Sequence, residues 1–302
     1  MEQIKRVIVG LDFSATDQYV LKAVHHYDRL LNFEKIYLMH VIRDLDHPHY
    51  KSKQGEPQPL DEQLKSLMME EVSHYFDGDS TKVDYMVKEG NLGTEVLKWQ
   101  KVKQADLLMF GRKEKFTDTN LYGILNLAPC SVAFIPKNEE ALKFDTVLLP
   151  IDGGEESVLA FEFAKRMKAR LQAKIDLVNA YSLPQGYSFS GKSPEEFKSI
   201  MEENERKNID EFLAEHEWTD EVNELHHLYL DRYDTLAGSL AEFINKTSNT
   251  AVVIGSQART KLTRLLMGTK VKQLIEEVPN KLIFVVKDKN ETFDFLDMIS
   301  KI

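Results

Sequence analysis

Short apolar runs of strand length recur along the chain, separated by longer segments whose apolar residues fall three or four positions apart. The runs "RVIVG" (6–10), "KIYLMHVI" (35–42), "VDYMVKEG" (83–90), "DLLMFG" (106–111) and "SVAFIP" (131–136) are rich in Val, Ile, Leu and Met and show little polar alternation. That pattern belongs to parallel strands covered on both faces. The second half of the chain repeats it in "DTVLLP" (145–150), "AKIDLVNAY" (173–181), "LHHLYLD" (225–231), "TAVVIG" (250–255) and "KLIFVV" (281–286).

The repeat extends to the joints. In each half the first strand ends in an aspartate, Asp12 or Asp152, followed by a small-polar turn and a helical segment. In the first helix Val20, Ala23, Val24, Tyr27, Leu30 and Leu31 form one apolar stripe, with Ser14 expected as N-cap and Asp17 three residues on. Between the second and third strands a stripe of Leu60, Leu64, Leu67, Met68, Val72, Tyr75 and Phe76 has its counterpart in Phe197, Ile200, Met201, Phe212 and Leu213, which follow Pro194, a residue suited to a first helical turn.

Strict alternation of strand and helix implies right-handed crossovers and an α/β fold. The expected architecture is two tandem doubly wound, Rossmann-like parallel sheets of five strands each. Residues 1–139 and 144–302 would form the two domains, joined near the charged link "KNEEALKF" (137–144). Beyond the last strand, Phe293, Leu296, Ile299 and Ile302 recur at helical spacing and predict a short amphipathic tail helix.

Composition narrows the function. A balance of 42% apolar and 29% charged residues describes a folded globular chain rather than a disordered one. The net charge of −10 repels phosphate polymers and anionic bilayers, so neither nucleic acid nor membrane is expected as a partner. No run approaches the roughly 20 apolar residues that cross a bilayer, and the stretch "MEQIKRVIVGLDFS" has no signal-peptide core, so no secretory leader is expected. The single cysteine, Cys130, allows no intrachain disulfide, which points to a reducing compartment such as the cytoplasm. Within "APCSVAFIP" it reads as a small buried hydrophobe.

Candidate chemistry concentrates after the fourth strand of the second half, in "GSQARTKLTRLLMGT" (255–269). Gly255 lets the backbone approach a ligand, and Gly268 and Thr269 precede a helical segment whose first N–H groups can receive an anion. Arg259, Lys261 and Arg264 add positive charge. The same residues also serve as ordinary turn and N-cap residues, with Leu262, Leu265 and Leu266 simply packing. Ligands of open parallel sheets bind at the carboxyl ends of strands where strand order reverses. Asp12 with Gly111, and Asp152 with Gly255, would line such crevices if first and fourth strands are neighbours.

The spacing Gly255, two residues, Ala258, nine residues, Gly268, Thr269 resembles the glycine motif of ATP-binding universal stress proteins. "GLDFS" at the first strand, and His40 with Val41 at the end of the second, are similar to the same family. The likeness spans residues 4–137 and 145–287 as a tandem pair. It implies an adenine nucleotide in the second half, ATP with or without Mg²⁺, or else ADP or AMP. Asp152 and the region from Val178 to Ala180 would face base and ribose, and Gly255, Gly268 and Thr269 the phosphates, with Gln257 and Arg259 beside them. It also implies pairing of fifth strands into an internal pseudo-dimer, or a homodimer of tandems.

Two departures qualify this. Ala258 stands where the motif has its second glycine, and if that position needs positive φ its methyl costs about 1 kcal/mol. In the first half Glu114 and Ile124 occupy the remaining glycine positions and the loop after Gly111 is several residues shorter, so that half is expected to be degenerate. An interaction scaffold without nucleotide and a slow ATPase stay open as alternatives. So does an ATP-dependent ligase reading of "DGGEES" (152–157), although Asp152 would repel phosphate there. The Asp44, Asp46, His47 and His49 cluster is a candidate metal site in an otherwise loop-like segment.

Overall fold

The computed structural model describes residues 4–42, 59–76, 82–112, 119–184, 186–256 and 270–288. They form two compact units, Glu2–Leu142 and Lys143–Lys287. In the first, β1 (Arg6–Gly10), α1 (Asp17–Leu31), β2 (Lys35–Ile42), α2 (Leu60–Ser73), β3 (Val83–Glu89), α3 (Leu92–Lys103), β4 (Leu107–Gly111), α4 (Thr119–Leu127) and β5 (Ser131–Ile135) follow one another. The second runs β6 (Thr146–Pro150), α5 (Glu155–Leu171), β7 (Lys174–Ser182), α6 (Pro194–Glu215), β8 (Glu224–Leu230), α7 (Leu236–Lys246), β9 (Thr250–Gly255) and β10 (Ile283–Val286), with helical residues 270–277 before the last strand.

Strand order is β3-β2-β1-β4-β5 in the first unit and β10-β9-β6-β7-β8 in the second, every pair within a unit being parallel. The five-stranded α/β repeat expected from the apolar runs is therefore present. First and fourth strands are neighbours in both copies: Val7 lies opposite Leu107, and Val147 opposite Ala251. Each sheet thus reverses its order between those two strands, which opens a crevice at their carboxyl ends.

Central strands are buried because helices cover both faces. Val7, Ile8 and Val9 are fully buried, as are Ala251, Val252 and Val253. α1 turns Val20, Leu21, Ala23, Val24 and Tyr27 inward, and α5 turns Ala160, Phe161, Phe163, Ala164 and Met167 inward. Phe161 stacks on Trp218 with centroids 4.2 Å apart. Cys130 is buried, as its apolar setting predicts.

Several local expectations are corrected. α1 starts at Asp17 with Thr16 as N-cap, so Ser14 is not the cap; it belongs to a turn in which its carbonyl accepts from Asp17 N at 3.0 Å. In α2, Leu64, Met68 and Val72 are buried while Leu67 is 49% exposed, because the helix presents a narrower apolar stripe than its sequence suggests. Pro194 does open α6, inside a complete capping box made by Ser193 and Glu196.

Candidate functional site

At the crevice of the second unit the chain leaves β6 through Ile151, whose N–H donates to the Val178 carbonyl at 2.9 Å. Asp152 comes next, and its backbone N–H donates to Ser157 Oγ at 3.2 Å while that hydroxyl donates to Asp152 Oδ1 at 2.9 Å. Gly154 N–H donates to the same Oδ1, also at 2.9 Å. Gly153 has φ +76°, and Gly154 is the N-cap of α5. The "DGG" sequence is a tight strand-to-helix turn that needs glycine in the left-handed region. Asp152 is exposed, with one oxygen held and Oδ2 taking no hydrogen bond among the described residues.

The neighbouring strand β7 supplies Val178, Asn179 and Ala180. Val178 is buried in the core and Ala180 is half-buried. Asn179, between them, lies inside the region from Val178 to Ala180 that the family resemblance implies, although no motif singles it out. Its Nδ2 donates to the Ile151 carbonyl at 3.1 Å, and its buried Oδ1 has no hydrogen-bond partner among the described residues. The available signal was a polar side chain inside the apolar run "DLVNAY", at the same register as His40 in the first half. Such an acceptor invites an N–H or O–H donor, since an unmade buried hydrogen bond costs about 1–3 kcal/mol.

Gly255 ends β9 beside this turn. A Cβ there would collide with the backbone carbonyl of Glu156, lying 2.6 Å from its carbon, so the glycine is required by the approach of the first turn of α5. Gln257, Ala258, Arg259, Gly268 and Thr269 lie outside the described residues. So do the Asp44–His49 cluster and the tail segment from 290 to 302.

The first-half crevice has the same plan and different chemistry. His40 Nδ1 donates to the Leu11 carbonyl at 2.9 Å, as Asn179 does to Ile151. Asp17 takes the place of Ser157, accepting from Asp12 N at 3.0 Å and Phe13 N at 2.7 Å. Phe13 stands where Gly153 stands and holds φ +58°. Its ring lies 4.6 Å from that of His40, whereas in the other copy the side chain nearest Gly153 is that of Phe212. Burial, then the neighbouring Asp12 and Glu71 carboxylates, push the Asp17 carboxyl up to about 8. After Gly111 comes Arg112, buried, pushed down to about 10 by that burial, with both terminal nitrogens lacking a hydrogen-bond partner among the described residues. Ser256 holds the corresponding place in the second half: Ser256 N bonds the Val286 carbonyl as Arg112 N bonds that of Ile135.

Comparison with known proteins fits this geometry. The model of the universal stress protein family matches residues 3–136 and again 143–285. A putative universal stress protein from Pseudomonas aeruginosa UCBPP-PA14 superposes with TM-score 0.67 at 15% identity, covering 99% of this chain and 96% of the other. A universal stress protein from Archaeoglobus fulgidus DSM 4304 gives 0.63 at 15% identity, covering 96% and 98%. A functionally unknown protein from Pseudomonas aeruginosa PAO1 gives 0.64 at 16% identity, covering 99% and 95%. At such identity these structures establish likeness of fold. No curated protein matches the chain. No helix among the described residues is long and apolar enough to cross a membrane.

Proposed function

The chain belongs to the universal stress protein family, matched in both halves, and on that footing we propose that its second half binds an adenine nucleotide and reports its level as a regulatory protein of the stress response. The observation that carries this reading is the position of Gly255, the first residue of the sequence motif Gly255, Ala258, Gly268, Thr269: it is the last residue of β9, across the order-reversing crevice from Asp152. Acceptors suited to the neutral end of a nucleotide stand on the other side. Asp152 Oδ2 would take a ribose hydroxyl, and the buried Asn179 Oδ1 an N–H donor. Phosphates would lie toward Gly268 and Thr269, with Arg259 offsetting their charge. Bound Mg²⁺ would neutralise part of the phosphate charge.

The first half serves as a partner domain without nucleotide. Phe13 and His40 fill its crevice, and Asp17 replaces a hydroxyl with a carboxyl. Calorimetric titration of nucleotide-free protein with ATP, with and without Mg²⁺, is expected to give about one site per chain, lost in Gly268→Asp. Absence of binding, checked by equilibrium dialysis, would leave a tandem interaction scaffold as the better account.

A further inference from the structure

Asp176, Glu224 and His226 converge on one face of β7 and β8. Asp176 is the third residue of β7 and lies directly opposite Glu224, the first residue of β8; His226 follows two positions on, on the same face. Their ligand atoms all lie within 4.8 Å of one another, and Glu224 Oε1 is 3.6 Å from His226 Nδ1. Asn223 Nδ2 donates to Asp176 Oδ1 at 2.7 Å, orienting that carboxylate. His226 and Asp176 are half-buried, and the His226 ring packs on Phe243 with centroids 4.9 Å apart.

Two carboxylates directly opposite on adjacent strands repel, and no lysine or arginine pairs with either among the described residues. The internal repeat shows how the same place is settled otherwise. Arg6 is in register with Lys35, and Thr146 with Lys174, so the first-half counterparts of Asp176, Glu224 and His226 are Tyr37, Asp84 and Met86. There Lys35 Nζ neutralises Asp84 Oδ1 at 2.9 Å and Lys103 lies 4.8 Å over the Tyr37 ring. Relative to that copy, the second half presents metal-ligand atoms at all three positions.

We propose that Asp176, Glu224 and His226 bind a divalent transition-metal cation of the zinc class, with water completing the coordination. One imidazole and two carboxylates match the three-ligand sets such ions accept, whereas Mg²⁺ and Ca²⁺ favour oxygen alone. Tetrahedral coordination at about 2.0–2.2 Å places ligand atoms roughly 3.4 Å apart, within reach of small rotations of the exposed Glu224. The cation would sit at the amino ends of β7 and β8, whereas the nucleotide is proposed at the carboxyl ends of β6 and β9. The proposal therefore stands independently of nucleotide binding.

The test is titration of chelator-treated full-length protein with CoCl₂, followed by visible absorption, with ZnCl₂ as competitor. The expected result is a saturable spectrum at one Co²⁺ per chain, displaced by Zn²⁺. Affinity should fall by more than about tenfold in both His226→Met, which copies Met86 of the first half, and Asp176→Asn. Circular dichroism and melting in the absence of metal confirm that each variant folds. Absence of a saturable spectrum would overturn the proposal, as would a spectrum unchanged in both variants, which would put the cation elsewhere, such as Asp44–His49.

Discussion

Gly255 is held by packing before any ligand is considered, because a side chain there runs into the carbonyl of Glu156 in the first turn of α5. Gly255→Ala is expected to cost about 3 kcal/mol in denaturant unfolding, since the clash is with backbone that cannot rotate away; a loss under about 1 kcal/mol would refute that packing. Asp17 carries a different liability. Unfolded, its carboxyl releases a proton near the ordinary aspartate value of 3.8; folded, it holds the proton to about 8. The folded state therefore binds more protons across that window, and this group's contribution to stability is fullest below it and is lost as pH rises toward 8. Asp17→Ser, which imports the Ser157 arrangement, should lessen the drop in unfolding free energy between pH 5 and pH 8, and an unchanged drop would disprove the assignment. Asp152 and Gly255 were legible in the sequence because they punctuate the ends of apolar runs. Asn179 was legible only as part of the region from Val178 to Ala180, since its own bond appears only when β7 pairs with β6 and its amide meets the Ile151 carbonyl. The positive φ of Phe13 was equally hidden, because a bulky residue there contradicts local preference and is tolerated through Asp17 and His40.

At the scale of elements, strands were readable because burial on both faces leaves a continuous apolar run, as in β4 and β9. β8 was readable for a weaker reason, its place in the repeat, and it is half-buried along nearly all its length. Helix starts were less legible where the cap depends on a turn: α1 begins after two tight bonds from Asp12 and Phe13 to Asp17, which no short-range signal at Ser14 announces. α6 was legible because Ser193, Pro194 and Glu196 form a local signal that needs no tertiary context. In that box Ser193 Oγ accepts from Glu196 N at 3.2 Å and the Glu196 carboxylate accepts from Ser193 N at 2.9 Å. Ser193→Ala is expected to lower stability by about 1 kcal/mol, read from the denaturation midpoint, with the gentler cost of Ser193→Gly as a control. Equal stability of Ser193→Ala and the parent would mean that α6 is held by its packing through Ile209, Phe212 and Leu213 alone.

Across the whole molecule, duplication supplies two crevices of one design and lets chemistry diverge between them. Hydrogen bonds from His40 to Leu11 and from Asn179 to Ile151 preserve the frame. Phe13 against Gly153, Asp17 against Ser157 and Arg112 against Ser256 mark where the two copies part. The proposed division of labour, nucleotide in the second half and none in the first, is the central claim. Photolabelling with 8-azido-ATP, followed by mass-spectrometric mapping of the modified peptides, tests it most directly. Labelling confined to peptides from residues 144–288 and suppressed by excess ATP is the predicted result; ATP-protected labelling of first-half peptides around Asp12 and His40 would contradict it.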